Sequence, residues 1–149
     1  MMTAPAALTL DELESHFELL GDWEARFGHL IDLGRQLPPM APEDHCDAFR
    51  VHGCQAQVWM RLVPRTGGAE PVLDIVADSD AFIVKGLIAV LLIIYSGKTA
   101  AEILRTDGAP ALARMQLSEH LSPTRKNGLA AMLRRVRELA ASWQPACTP

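Results

Sequence analysis

The run from Gly86 through Leu87-Ile88-Ala89-Val90-Leu91-Leu92-Ile93-Ile94 to Tyr95 carries no charge. It is preceded by the apolar Ala81 to Val84, with Lys85 between the two stretches. A membrane-spanning helix needs roughly 18 or more apolar residues, and this run is shorter. It reads instead as a helix buried in the core, around which the rest of the chain must be arranged. Ser79 or Asp80 is placed to cap its start, and Gly97 suits its C-terminal cap. Gly86 is costly inside such a helix, by about 1 kcal/mol relative to alanine. Its presence suggests that another backbone approaches closely there.

The flanking segments supply the other layers. Thr9 and Glu12 have the spacing of a capping box and open a helix from about Leu10 to Leu20. Gly21 ends it, and Asp22 can cap a second helix whose Trp23, Phe27, Leu30, Ile31 and Gly34 lie on one face. Leu37-Pro38-Pro39 stops that helix. Three short strands are expected next: one at Phe49 and Val51, one at Val58, Met60 and Leu62, and one over Val72 to Val76. A turn at Arg65-Thr66-Gly67-Gly68 joins the last two. Beyond the apolar helix, Thr99 and Glu102 form a second capping box. Pro110 permits a short helix to about Ser118, and Ser122-Pro123 starts a last helix reaching about Trp143. The expected fold class is α+β, with a small antiparallel sheet of about three strands covered by helices. One domain over residues 1–149, with its core at about 10–143, accommodates all of this.

Composition narrows the function classes. The chain has 149 residues, 49% hydrophobic and 21% charged, with a net charge of -4. No large basic footprint is present, which argues against nucleic acid as a partner. Met1 to Leu10 lacks the basic region of a secretory signal. There are three cysteines, Cys46, Cys54 and Cys147. An odd count without a signal argues against a disulfide framework and for a reducing cytoplasm.

Cys54 stands apart from the other two. It follows Gly53, where one apolar alternation stops, and a second alternation begins at Gln57, so the thiol falls on a connector between strands. A connector suits a reactive thiolate, activated by a nearby cation or by backbone amides; a small buried cysteine packed at a strand end is the other reading. His45, Cys46, His52 and Cys54 are ligand types that zinc accepts, yet no C-x-x-C or H-x-x-x-H pair is present. Ser118, Glu119 and His120 are consecutive and cannot form a triad by themselves. Asp78 and Asp80 place carboxylates at a helix start, where the dipole favours them. Arg125 and Lys126 stand at the start of the last helix, where it does not. Basic residues held there at an electrostatic cost can face an acidic or anionic partner.

Four stretches together resemble the SufE-type sulfur acceptor family. Val51-His52-Gly53-Cys54-Gln55-Ala56-Gln57-Val58-Trp59 is similar to its active-cysteine segment. Asp78-Ser79-Asp80-Ala81 with Ile83-Val84-Lys85-Gly86-Leu87-Ile88-Ala89 is similar to its central helix entry. His120-Leu121-Ser122-Pro123-Thr124-Arg125 with Asn127-Gly128-Leu129 is similar to its last-helix entry. Trp23-Glu24, Leu30 to Gly34 and Leu37-Pro38 match its N-terminal helix. The resemblance spans about Leu10 to Trp143, in the expected order.

It implies a fold like that of SufE and the IscU-type scaffolds. It also implies a non-enzymatic sulfur carrier, acting in the cytoplasm without a metal, cofactor or membrane. Such a carrier takes persulfide sulfur from a pyridoxal-phosphate cysteine desulfurase, stimulates that enzyme, and delivers the sulfur to an iron–sulfur cluster assembly scaffold. Cys54 would be the acceptor, and Asp80 and Arg125 would lie near the desulfurase interface. Ala56 stands where the family usually has serine. A metal- or cluster-binding scaffold, and a regulator that binds the desulfurase without carrying sulfur, are the alternative functions.

Overall fold

The computed structural model describes residues 9–53, 55–65 and 71–143. Cys54, the turn residues Thr66, Gly67 and Gly68, Cys147 and residues 1–8 lie outside the described residues.

The N-terminal helices begin where their caps predict. In α1, Leu10–Leu20, the Thr9 hydroxyl accepts from the Glu12 amide and the Glu12 carboxylate accepts from the Thr9 amide. In α2, Trp23–Arg35, the Asp22 carboxylate accepts from the Ala25 amide at 2.8 Å. A single-turn 3-10 helix follows at Pro42–Asp44, and another at Asp47–Phe49.

Two antiparallel strands come next, β1 (Val58–Arg65) and β2 (Val72–Ser79), in register from Val58 opposite Ser79 to Arg65 opposite Val72. Alternation places Val58, Met60, Leu62, Leu73, Ile75 and Ala77 in the core. The expected strand at Phe49 and Val51 does not form. Only an isolated bridge links Arg50 to Trp59, with the Val51 amide donating to the Val58 carbonyl at 2.8 Å. The cause is local. The 3-10 turn uses Asp47 to Phe49, and the Phe49 ring lies under the Arg61 guanidinium, 4.9 Å from its centroid, so little extended chain is left before Gly53.

The apolar run forms α3, Phe82–Tyr95, and nine of its residues are buried. Its N-cap position is Ala81, with no side-chain cap. The two expected capping residues are used differently: the Ser79 hydroxyl accepts from the Ala81 amide, and the Asp80 carboxylate is directed across to Gln57, just before β1. The short helices α4 (Ala100–Arg105), α5 (Ala109–Arg114) and α6 (Leu117–His120) follow. Thr99 and Glu102 form the expected capping box of α4. The single short helix expected from Pro110 divides into α5 and α6 at Gln116, whose φ is 59°. The last helix, α7, runs Pro123–Ala141, with the Ser122 hydroxyl accepting from the Arg125 amide. Its Leu129, Met132, Val136 and Ala140 join one hydrophobic cluster with α1, α2, α3 and both strands.

The expected backbone approach at Gly86 is present. A Cβ on Gly86 would collide with the Leu30 carbonyl of α2. A Cβ on Gly34 would stand 2.7 Å from the Gly86 nitrogen. Helices α2 and α3 therefore cross with their backbones in contact. Gly86→Ala is expected to destabilise the protein by about 1–3 kcal/mol, the usual cost of overpacking. Gly28, exposed on α2 with nothing within 4 Å of a Cβ, gives the opposite sign: Gly28→Ala is expected to add up to about 1 kcal/mol. Chemical denaturation of both variants checks this, and effects of the same sign would contradict the close crossing.

Candidate functional site

The Val51 amide donates to the Val58 carbonyl and draws together two limbs of chain, residues 52–53 and 55–57. Gly53, on the rising limb, has φ 94°, which L side chains rarely adopt. A Cβ there would also come within 3.2 Å of the Ala131 methyl on α7. Both facts restrict that position to glycine. The acceptor residue inferred from the sequence, Cys54, is the next residue; it lies outside the described residues, and the site is built from what surrounds it.

Asp80 fixes the descending limb. Its Oδ1 accepts from the Gln57 amide at 3.0 Å, and its own amide donates to the Gln57 carbonyl at 3.3 Å. These two bonds extend the β1–β2 pairing one step beyond Val58 and Ser79. The carboxylate thus holds the turn against the entrance to α3. This is a positioning contact within the chain, and the carboxylate remains at an exposed position.

Arg125 lies on the other side. A groove of about 400 Å³ separates the turn from the starts of α3 and α7. Its floor is apolar, made by the buried Val84 and Leu87 of α3 and Leu129 and Met132 of α7. Gln55 and Ala56 line the turn side, and the exposed Arg125 lines the α7 side. Among the described residues no ion pair joins Arg125 to Asp80. The fold therefore brings both residues to the same turn by separate routes. Phe82, at the start of α3, is 66% exposed, an unusual position for a large aromatic residue. The sequence reading did not single it out, because helical periodicity alone does not say which end of an all-apolar helix emerges.

The outer face of the sheet carries a second polar arrangement. His45 Nε2 is 2.8 Å from Asp78 Oδ2, and its Nδ1 is 3.1 Å from the Ala41 carbonyl and 3.3 Å from that of Pro42. All these partners are acceptors, an arrangement that favours the protonated ring, in which both nitrogens donate. The hydrogen bond to Asp78 raises the His45 pKa above its usual value, against a smaller effect of lost solvation. For Asp78, partial burial pushes the pKa up. The His45 bond, the Ser79 amide and the charge of Lys85, 3.5 Å away, outweigh it, and the carboxyl titrates below the ordinary range. The ring also packs edge-on against Trp59, with centroids 4.6 Å apart. His45 is thus committed to fastening the 41–45 segment to the sheet. Among the described residues no three His, Cys, Asp or Glu side chains form a metal-holding group.

Comparison with known proteins gives the class. The SufE model, described as an Fe-S metabolism associated domain, matches residues 11–140. The chain belongs to the SufE family. It is 42% identical over 139 residues to an uncharacterised SufE-like protein of Rhizobium meliloti, covering 93% of this chain and 99% of that one. It is 42% identical over 134 residues to another from Rhizobium etli, covering 89% of each. Its fold is similar to the solution structure of a hypothetical protein from Thermus thermophilus. That likeness has a TM-score of 0.68 and covers 94% of this chain and 96% of that one, at 22% identity. The SufE resemblance and the α+β class read from the sequence are confirmed, with two strands in place of about three. Among the described residues no helix is long and apolar enough to cross a membrane.

The local geometry can be tested at both polar arrangements. Asp80→Ala removes the acceptor for the Gln57 amide, a bond worth about 1 kcal/mol. Hydrogen exchange is expected to show faster exchange at Gln57 with the α3 core amides unchanged; undiminished protection would contradict the bracing role. For His45, a raised folded pKa means that its stabilisation is complete below the unfolded value of about 6.5. It is lost as pH rises through the folded value. Asp78, shifted down, contributes above about 3.8–3.9 and loses its contribution as pH falls through its folded value. His45→Asn should therefore lower Tm more at pH 5.5 than at pH 8.5, and equal losses would contradict the imidazolium assignment.

Proposed function

We propose that this protein is a sulfur acceptor and carrier, taking persulfide sulfur from a pyridoxal-phosphate cysteine desulfurase onto Cys54. The observation that supports this best is the turn itself. The described residues of the family's cysteine segment are joined by the Val51–Val58 bond, held by Asp80 at Gln57, and bordered by a groove that carries Arg125. Gln55 and Ala56, the residues that follow Cys54 in sequence, border an apolar depression, which suits a thiol that accepts a group from another protein.

The chemistry is thiol–disulfide exchange in form. The Cys54 thiolate attacks the outer sulfur of the donor's persulfide. A new S–S bond forms between Cys54 and the transferred sulfur as the donor's S–S bond breaks, and the donor cysteine leaves as a thiolate. The transferred sulfur keeps its oxidation level, so no external oxidant or reductant is needed. Removing the sulfur from the donor frees it for another turnover, which accounts for stimulation of the desulfurase. In this reading residues 1–149 act as one SufE-like unit in the cytoplasm, and Asp80 and Arg125 face the desulfurase. The carried sulfur passes to an iron–sulfur assembly scaffold in a second exchange.

The reading is tested with the desulfurase and L-cysteine, following the rate of alanine formation. Cys54→Ser should abolish stimulation while leaving the fold intact, and full stimulation by that variant would overturn the carrier mechanism. Arg125→Glu should weaken binding about tenfold or more with little change in Tm, because Arg125 is exposed and has no carboxylate partner among the described residues. An unchanged dissociation constant would remove Arg125 from the interface.

A further inference from the structure

A second groove lies beside the limb that ends at His52 and Gly53. It lies between residues 47–52 and α7, has a volume of about 330 Å³, and is lined by Arg50, His52, Arg134 and Arg135 with the carboxylates of Asp47 and Glu138. Its charges are not balanced within the chain. Arg135 is paired with Glu138 at 3.3 Å, but its Nε is buried without a hydrogen-bond partner. Among the described residues neither Arg50 nor Arg134 makes an ion pair. The Arg134 Nη2 stands 3.9 Å from the position of a Cβ on Gly53, so the cationic edge reaches the turn itself. A protein with a net charge of -4 thus concentrates unpaired guanidinium groups beside its sulfur-accepting turn.

We propose that this groove receives a carboxylate-bearing segment of the sulfur donor, the cysteine desulfurase. The inference rests on the carrier reading above and extends it to a second contact surface. A stable interface covers about 800 Å² on each partner. A donor that delivers sulfur to residue 54 must seat itself around this turn, and a footprint of that size spans both flanking grooves. The first groove offers an apolar floor. The second offers planar forks of N–H donors, which match carboxylates in bidentate geometry. Its cations come from the side chains of Arg50, Arg134 and Arg135. An acidic peptide segment is the occupant that suits it. Because the molecule as a whole is acidic, attraction to such a segment must come from this local patch.

The test compares three single charge reversals, each changing the net charge by the same amount. Arg50→Glu and Arg134→Glu alter the groove. Lys98→Glu alters the far end of β2, where the Lys98 carbonyl accepts from the Leu73 amide, about 20 Å along the strand from Ser79. The dissociation constant for the desulfurase is measured at low and high salt, and stimulation at saturating carrier.

The proposal expects Arg50→Glu and Arg134→Glu to weaken binding at least tenfold at low salt. The difference from wild type should shrink at high salt, and stimulation should recover at saturation. Lys98→Glu should stay within about twofold of wild type, since exposed charges beyond about 10 Å are screened. Equal losses in all three variants would show a whole-molecule charge effect and overturn the groove. Unchanged binding in the groove variants, with wild-type stimulation intact, would overturn this inference alone. A wild-type protein that neither binds nor stimulates the desulfurase would overturn the carrier reading and this inference with it.

Discussion

The contact between α2 and α3 at Gly34 and Gly86 fixes the apolar helix on which the rest of the fold is packed. Helix α3 is apolar almost all round and has partners on most sides. A helix of that kind is positioned by the shape of its neighbours, because it has no polar face to orient it. The missing side chains at residues 34 and 86 let the two backbones meet. The crossing holds the helix in place, and the β1–β2 register, with Val58 opposite Ser79, brings its entrance at Asp80 opposite Gln57. There Asp80 exchanges two hydrogen bonds with Gln57 and closes the turn.

The same entrance shows how stability and function divide between adjacent residues. Either Ser79 or Asp80 would make a good helix cap, and the favourable place for a carboxylate is at a helix start. Ser79 satisfies the Ala81 amide, while Asp80 reaches across to the turn. Two residues earlier, Asp78 points to the outer face of the sheet and holds the His45 imidazolium. Three successive polar residues thus fasten three different segments around one strand end. The limbs at Val51 and Gln57 are thus anchored, and a groove lies beside each.

Much of this was legible in the sequence, and for identifiable reasons. Capping boxes at Thr9 and Thr99 and the Ser122-Pro123 start depend on contacts three residues apart, and all three helices begin where those residues place them. Gly86 was readable as a close approach because nothing else explains glycine in a helix so apolar. The strand at Phe49 and Val51 was misread because alternation over so few residues is also compatible with a 3-10 turn leading into a single bridge. The diversion of Asp80 to Gln57 and the clamp on His45 were not legible, since each joins residues more than 20 positions apart. The arginine groove was hidden for the same reason: Arg50 and Arg134 belong to separate parts of the chain and meet only when α7 packs beside the turn.

The central claim is that sulfur is carried on the cysteine of this turn. Mass spectrometry of the intact protein and its peptides, after incubation with a cysteine desulfurase, pyridoxal phosphate and L-cysteine, tests it most directly. A persulfide adds one sulfur atom, about 32 mass units. The account predicts that gain on the peptide containing Cys54, reversed by a thiol reductant. The same gain confined to the peptides of Cys46 or Cys147, or no gain at all, would contradict it.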